Sequence, residues 1–218
     1  MTTERDWKAG HQQHNAERAT RMANAHKCLS LIRAFMPLGN VIDFGCGIGG
    51  WLWAAEILGA MSVLGIEGDW IHGTDTIIDK ERIRIADLGT SPPMFSKEFD
   101  LALSIEVAEH LPESSADGFV SALISASNRI LFSAAIPQQG GIGHVNEQLL
   151  PYWVDKFWRR GYVPLEPIRP YIQSDTSIHF WLRQNLVMFV NYDEIIRVPD
   201  LMRFARPIAD FRLHYRPI

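Results

Sequence analysis

The 218 residues carry 21 Lys and Arg against 25 Asp and Glu, a formal charge of -4, with 47% hydrophobic residues and a mean hydropathy of -0.05. That balance excludes a disordered or fibrous chain and supplies no broad cationic face for a phosphate backbone, so the expected partner is a small molecule, not nucleic acid. Only two cysteines, Cys28 and Cys46, occur, without metal-ligand spacing, and neither a membrane-length apolar run nor a signal-peptide pattern is present; a single soluble cytoplasmic domain is expected, with no membrane association.

Within it, residues 1–40 read as an N-terminal helical segment, 41–190 as the core and 191–218 as a mildly basic tail containing Arg197, Arg203, Arg206, Arg212 and Arg216. In chain order, residues 15–35 have helical periodicity, and Pro37 to Asn40 stop them. Val41-Ile42-Asp43-Phe44 then runs into Gly45-Cys46-Gly47-Ile48-Gly49-Gly50 and the apolar segment 51–58, a strand, glycine turn and helix. Short apolar strands follow at 61–66, ending at Glu67, and at 82–86, 99–105 and 129–135, with a helix at 114–127. After a glycine-rich loop at 139–143 come a helix at 148–160, a strand at 162–166 and a final strand at 182–190. Strands alternating with helices predict an α/β fold with a doubly wound, mostly parallel sheet.

In such a sheet the glycine turn after the first strand lines the ligand crevice. Gly45, Gly47 and Gly49 let the backbone turn and approach a ligand, and Glu67 at the end of the next strand is placed to accept hydrogen bonds from ribose hydroxyls. Because Gly50 also completes a GxGxxG pattern, an NAD(P)-dependent oxidoreductase is one reading. Asp43 opposes it: a carboxylate two residues before the first glycine repels a pyrophosphate but offsets a cationic amino acid moiety, unless it only braces the turn.

The stretch from Val41 to Gly49 resembles the first motif of class I S-adenosylmethionine-dependent methyltransferases. Ala86-Asp87-Leu88 resembles their adenine-contacting turn, and residues 99–111 resemble their fourth-strand motif. The resemblance implies a Rossmann-like sheet of seven strands with the last antiparallel, and S-adenosylmethionine as cofactor. It would be held by Asp43, Gly45, Gly47, Gly49, Glu67, Asp87, Leu88 and Ile105, with Asp87 on the adenine amino group unless it merely caps a turn. The implied activity is methyl transfer to a small-molecule oxygen, with a sugar as one candidate acceptor; a non-catalytic cofactor-binding protein is the other alternative. His144-Val145-Asn146-Glu147-Gln148 with Arg183-Gln184-Asn185 resembles bacterial methyltransferases of uncharacterised or glycan-linked pathways.

Methylating a hydroxyl needs a base, and His144, in the loop after the fifth strand, is the first candidate, with His110 and Glu109 next. Glu106, Glu109 and His110 are spaced so that one helical turn would gather them, and ExxEH resembles a metal-binding motif of some quinone-biosynthesis O-methyltransferases. Acidic residues favour helix N-termini in any case, so no metal is expected there. Gln184 and Asn185, interrupting the apolar run at 182–190, are expected either to reach the site or to satisfy a strand edge.

Overall fold

The computed structural model describes residues 17–205. Alternation along the strands divides two cores. On β1 (Asn40–Phe44) Ile42 and Phe44 point to one side and Val41 to the other; on β4 (Leu101–Ile105) Ala102 opposes Leu101 and Leu103; on β5 (Arg129–Ser133) Ile130 and Phe132 oppose Leu131. With β2 (Ser62–Glu67), β3 (Ile83–Ile85), β6 (Tyr162–Leu165) and β7 (Val187–Asn191) they form a seven-stranded sheet in the order β3-β2-β1-β4-β5-β7-β6. All neighbours run parallel except β7, which is antiparallel to both β5 and β6.

The helices follow that division. Buried residues of α1 (Arg18–Arg33) and α2 (Gly50–Ile57), among them Leu29, Ile32 and Leu52, join the core on the Val41 side. Those of α3 (Ala116–Ala126) and α4 (Leu150–Trp158), among them Phe119, Trp153 and Phe157, join the core on the Ile42 side. The sheet is thus covered on both faces, as parallel strands apolar on both sides require. Short helices α5 (Arg169–Ile172), α6 (Phe180–Asn185) and α7 (Tyr192–Arg197) complete the C-terminal third. Among the described residues no helix is long and apolar enough to cross a membrane.

One expected strand is corrected. Residues 182–190 do not form one extended element: α6 ends at Asn185, and β7 begins at Val187. Tertiary contacts decide this, because Asn24 of α1 accepts a hydrogen bond from His179 N at 2.8 Å and donates to Ser177 O at 3.0 Å, fixing the chain just before α6. Arg183 Nε then donates back to Ile178 O. The other expected elements lie within a few residues of the observed ones; residues 15 and 16 of the first helix, and Arg206, Arg212 and Arg216 of the basic tail, lie outside the described residues.

The second core centres on Phe132, whose ring lies 5.5 Å from that of Phe157 and 6.0 Å from that of Phe189, while Phe157 and Phe189 stack at 3.9 Å and 13°. Phe157 is fully buried, and its neighbour Trp158 is 51% exposed. Phe157→Ala is expected to destabilise the fold by about 3–5 kcal/mol through lost transfer energy and a residual cavity, and Trp158→Ala by less than about 1 kcal/mol. Urea unfolding of the two variants measures the contrast, and equal losses would show that α4 does not present this face.

Candidate active site

The strand order reverses between β1 and β4, so the connections leaving them diverge to opposite faces and a crevice opens at the carboxyl ends of the strands. A cavity of about 780 Å³ occupies it. Its floor is the turn after β1: Gly45 N and Cys46 N both donate to Ile66 O, at 2.8 and 3.2 Å, tying the turn to the end of β2. Gly45 has φ +79°, and a Cβ there would lie 2.5 Å from Val107, so both conformation and space demand glycine. Gly47 has φ +53° with nothing within 4 Å of a would-be Cβ, because it faces the cavity.

Glu67 braces this turn. Its Oε2 accepts from Gly47 N at 2.7 Å, and its Oε1 accepts from Gly68 N at 2.8 Å and from Trp70 Nε1 at 3.0 Å. The bracing weighed as the alternative role of Asp43 is performed by Glu67, which also lines the cavity. Asp43 is 2% exposed, lies behind the cavity wall, and its Oδ1 has no hydrogen-bond partner among the described residues. Asp87 lines the cavity and caps its own turn, with Oδ1 accepting from Gly89 N at 2.8 Å and Oδ2 from Thr90 Oγ1 at 2.7 Å. Leu88 and Ile105 also line the wall, while Gly49, at φ +90°, precedes α2 as its N-cap outside it.

The opposite end is built by the segments after β4 and β5. Glu106 leaves β4 with φ +56°, a strained conformation for a residue with a Cβ, and only Ala108–His110 form a short 3-10 turn. The expected helical gathering of Glu106, Glu109 and His110 therefore does not occur. Glu106 turns aside, accepting from Gln139 Nε2 at 2.8 Å and Asn185 Nδ2 at 3.3 Å. Asn185 also donates to Gln139 Oε1 at 2.8 Å, so it supports the wall from behind, whereas Gln184 gives its backbone carbonyl to Arg169. His144 takes the place left by Glu106: its Nε2 lies 4.0 Å from Glu109 Oε1, and its ring meets that of His110 edge to face at 4.9 Å.

Burial sets the charge states here. It pushes the Glu109 carboxyl well above the ordinary carboxylate range, with the charge of Glu106 adding to the effect. Burial and then neighbouring His144 push His110 down to about 4, keeping its ring neutral near pH 7. Glu147, which sequence reasoning passed over, organises the loop: it accepts from Gln138 N at 2.8 Å, Gly140 N at 3.0 Å and His144 Nδ1 at 2.8 Å. Its position three residues after His144 was the available signal. Arg21, Met22 and Trp181, from α1 and α6, close the cavity from above and carried no motif.

No protein-family profile matches the sequence, and no curated protein matches it significantly. Solved structures do match. An S-adenosylmethionine-dependent methyltransferase from Mesorhizobium loti aligns at 16% identity and a TM-score of 0.52, over 78% of this chain and 98% of that one. The fold is that of the class I methyltransferases. A chain from the complex between the Haloferax volcanii Trm112 methyltransferase activator and a methyltransferase aligns at 14% identity and 0.57, over 87% and 98%. The plantazolicin methyltransferase BpumL, solved in complex with SAH, aligns at 15% identity and 0.54, over 82% and 87%. This methyltransferase fold accounts for the antiparallel β7 and for the cavity's place across β1 and β4.

Burial, and then the charge of Glu67, push Asp43 from 3.8 up to about 7. Between about pH 4 and pH 7 the folded protein therefore holds a proton that the unfolded chain releases, and stability falls as pH rises through that window. Asp43→Asn removes the titration. The variant's stability relative to wild type should rise between about pH 4 and pH 7 and level off above, as read by urea unfolding across that range; a pH-independent difference would place Asp43 in water.

Proposed function

We propose that the chain binds S-adenosylmethionine in this cavity and transfers its methyl group to a hydroxyl of a small acceptor such as a sugar. The observation that carries the reading is the glycine turn that follows Asp43: an open left-handed Gly47, and a buried carboxylate whose Oδ1 has no hydrogen-bond partner among the described residues. A cationic amino acid moiety would offset that charge, and the cofactor carries one and no phosphate. Asp43 would disfavour the pyrophosphate of a dinucleotide, which opposes the oxidoreductase reading, whereas an acidic residue in the place of Glu67 suits ribose hydroxyls in either cofactor. Glu67 retains acceptor capacity toward ribose hydroxyls, since each carboxylate oxygen has two lone pairs and three donors reach it among the described residues. Leu88 and Ile105 offer apolar contact for the adenosyl portion, with Asp87 at the adenine edge.

Bound this way, the cofactor supplies an electrophilic methyl group, and the protein positions the acceptor oxygen and helps its proton leave. Glu109, His110 and His144 stand together on the wall after β4 and β5, and we assign activation of the acceptor hydroxyl to that cluster. The fold is shared with a methyltransferase named for plantazolicin and solved in complex with SAH, which supports methyl transfer as the chemistry. A protein that binds the cofactor without turnover would need none of this cluster.

Calorimetry should show micromolar binding of S-adenosylmethionine or its demethylated product, about 8 kcal/mol, and no heat with NAD. Gly47→Val should weaken that binding at least about 100-fold while the chain still folds, since a branched residue is strained at positive φ and projects into the cavity. A clear response to NAD alone would overturn the proposal.

With an acceptor identified by screening metabolite extracts with methyl-labelled cofactor, His144→Ala should lower kcat by about 100-fold to 10,000-fold. Cofactor affinity and stability should stay nearly unchanged. Full turnover in that variant would remove His144 from the chemistry.

A further inference from the structure

The cluster formed by the turn after β4 and the loop after β5 has the geometry of a cation site, with His144 in the place that the sequence motif gives to Glu106. One side-chain donor atom each from Glu109, His110 and His144 lies within 4.8 Å of the others. Glu109 is fully buried, and neither carboxylate oxygen has a hydrogen-bond partner among the described residues. A dry carboxylate in that state calls for a compensating charge. We propose that Glu109, His110 and His144 bind a first-row divalent transition ion.

Both imidazoles are held from their far sides. Nδ1 of His144 lies 2.8 Å from Glu147 Oε1, which turns Nε2 toward Glu109, and Nδ1 of His110 lies 3.3 Å from the carbonyl of Gly143. A carboxylate or a backbone carbonyl on the second ring nitrogen is the usual support of a metal-binding histidine. Glu147 is itself fixed by Gln138 N and Gly140 N, so the ring sits on a braced loop. Gly141 leaves the necessary room: a Cβ there would lie 2.3 Å from His144 Nε2. Two nitrogens and one oxygen suit zinc, cobalt or manganese, whereas magnesium and calcium prefer oxygen alone. Side-chain rotations would draw the donors together to the roughly 3.4 Å ligand separations of a tetrahedral site with bonds of about 2.1 Å. The remaining positions open on the cavity wall that all three residues line.

Glu106, which begins the ExxEH motif, is excluded, because its carboxylate is already engaged by Gln139 and Asn185. The inference rests on the proposed function only for its catalytic meaning, in which the ion would stabilise the charge developing on the acceptor oxygen; binding of the ion does not depend on it.

The test is titration of the full chain, free of cofactor, with cobalt(II) followed by visible absorption and with zinc(II) followed by calorimetry. One ion per chain at micromolar affinity is expected. Glu109→Gln and His144→Ala should each weaken binding by at least about 100-fold, Glu106→Gln by less than about threefold, and magnesium at millimolar concentration should not compete. Absence of saturable one-to-one binding up to about 100 µM would overturn the proposal. So would wild-type affinity in both ligand variants, or a loss in Glu106→Gln equal to that in Glu109→Gln. If Glu109→Gln fails to fold by circular dichroism, His144→Ala in the loop decides alone. Cofactor calorimetry on the same samples separates the two ideas: cofactor bound without metal sinks the ion site, and metal bound without cofactor sinks the proposed function.

Discussion

The pairing of β1 with β2 on one side and β4 on the other is the constraint from which the site descends. Because the chain winds outward in both directions from that pair, the turns after β1 and β4 must part, and nothing in the sheet fills the gap. The glycine turn, Glu67, the segment after β4 and the loop after β5 all stand at carboxyl ends of strands, so their places are set by backbone hydrogen bonding before any side chain contributes. A binding wall on such rigid elements keeps its geometry with little help from the loops themselves.

Of the acidic side chains that border or underlie the cavity, Glu67, Glu106, Asp43 and Glu109 divide by how they are satisfied. Glu67 accepts three donors and Glu106 two, and both act as braces. Asp43 and Glu109 are more deeply buried, but among the described residues Asp43 Oδ1 and both oxygens of Glu109 have no hydrogen-bond partner. Burying a carboxylate without donors opposes folding, and the rest of the structure must offset it. Departures of this kind concentrate where a ligand completes the arrangement, and these two lie at opposite ends of one crevice.

The fold was legible because its signals are local and periodic: alternation in Val41 to Phe44, glycines at the required spacing, and apolar runs bounded by turn residues. Residues 182–190 were misread because an apolar run broken by two amides suits strand and helix equally, and Asn24, far away in sequence, settles it. The site was legible unevenly. Glycine positions follow from backbone geometry, which the sequence encodes directly. The grouping of Glu106, Glu109 and His110 followed from assuming a helix, and a single residue with positive φ undoes it. That Glu67 would hold the turn while Asp43 stood behind it depends on side-chain direction, which spacing alone does not report. Nor does spacing report that Glu147 reaches back across its own loop.

The two borders of the sheet are short and unsuited to recruiting strands. β3, at one border, is three residues long, and β6, at the other, is four and contains Pro164, which has no N-H to offer a neighbour. Leu165 of β6 is further occupied by a bridge to Ala205, and Glu166 N donates to Phe204 O. Short edges and an edge proline are how natural sheets resist pairing end to end with other sheets. The molecule is thereby protected from runaway sheet-to-sheet aggregation at the margins of its most apolar element, and any self-association is steered toward helical faces or loops.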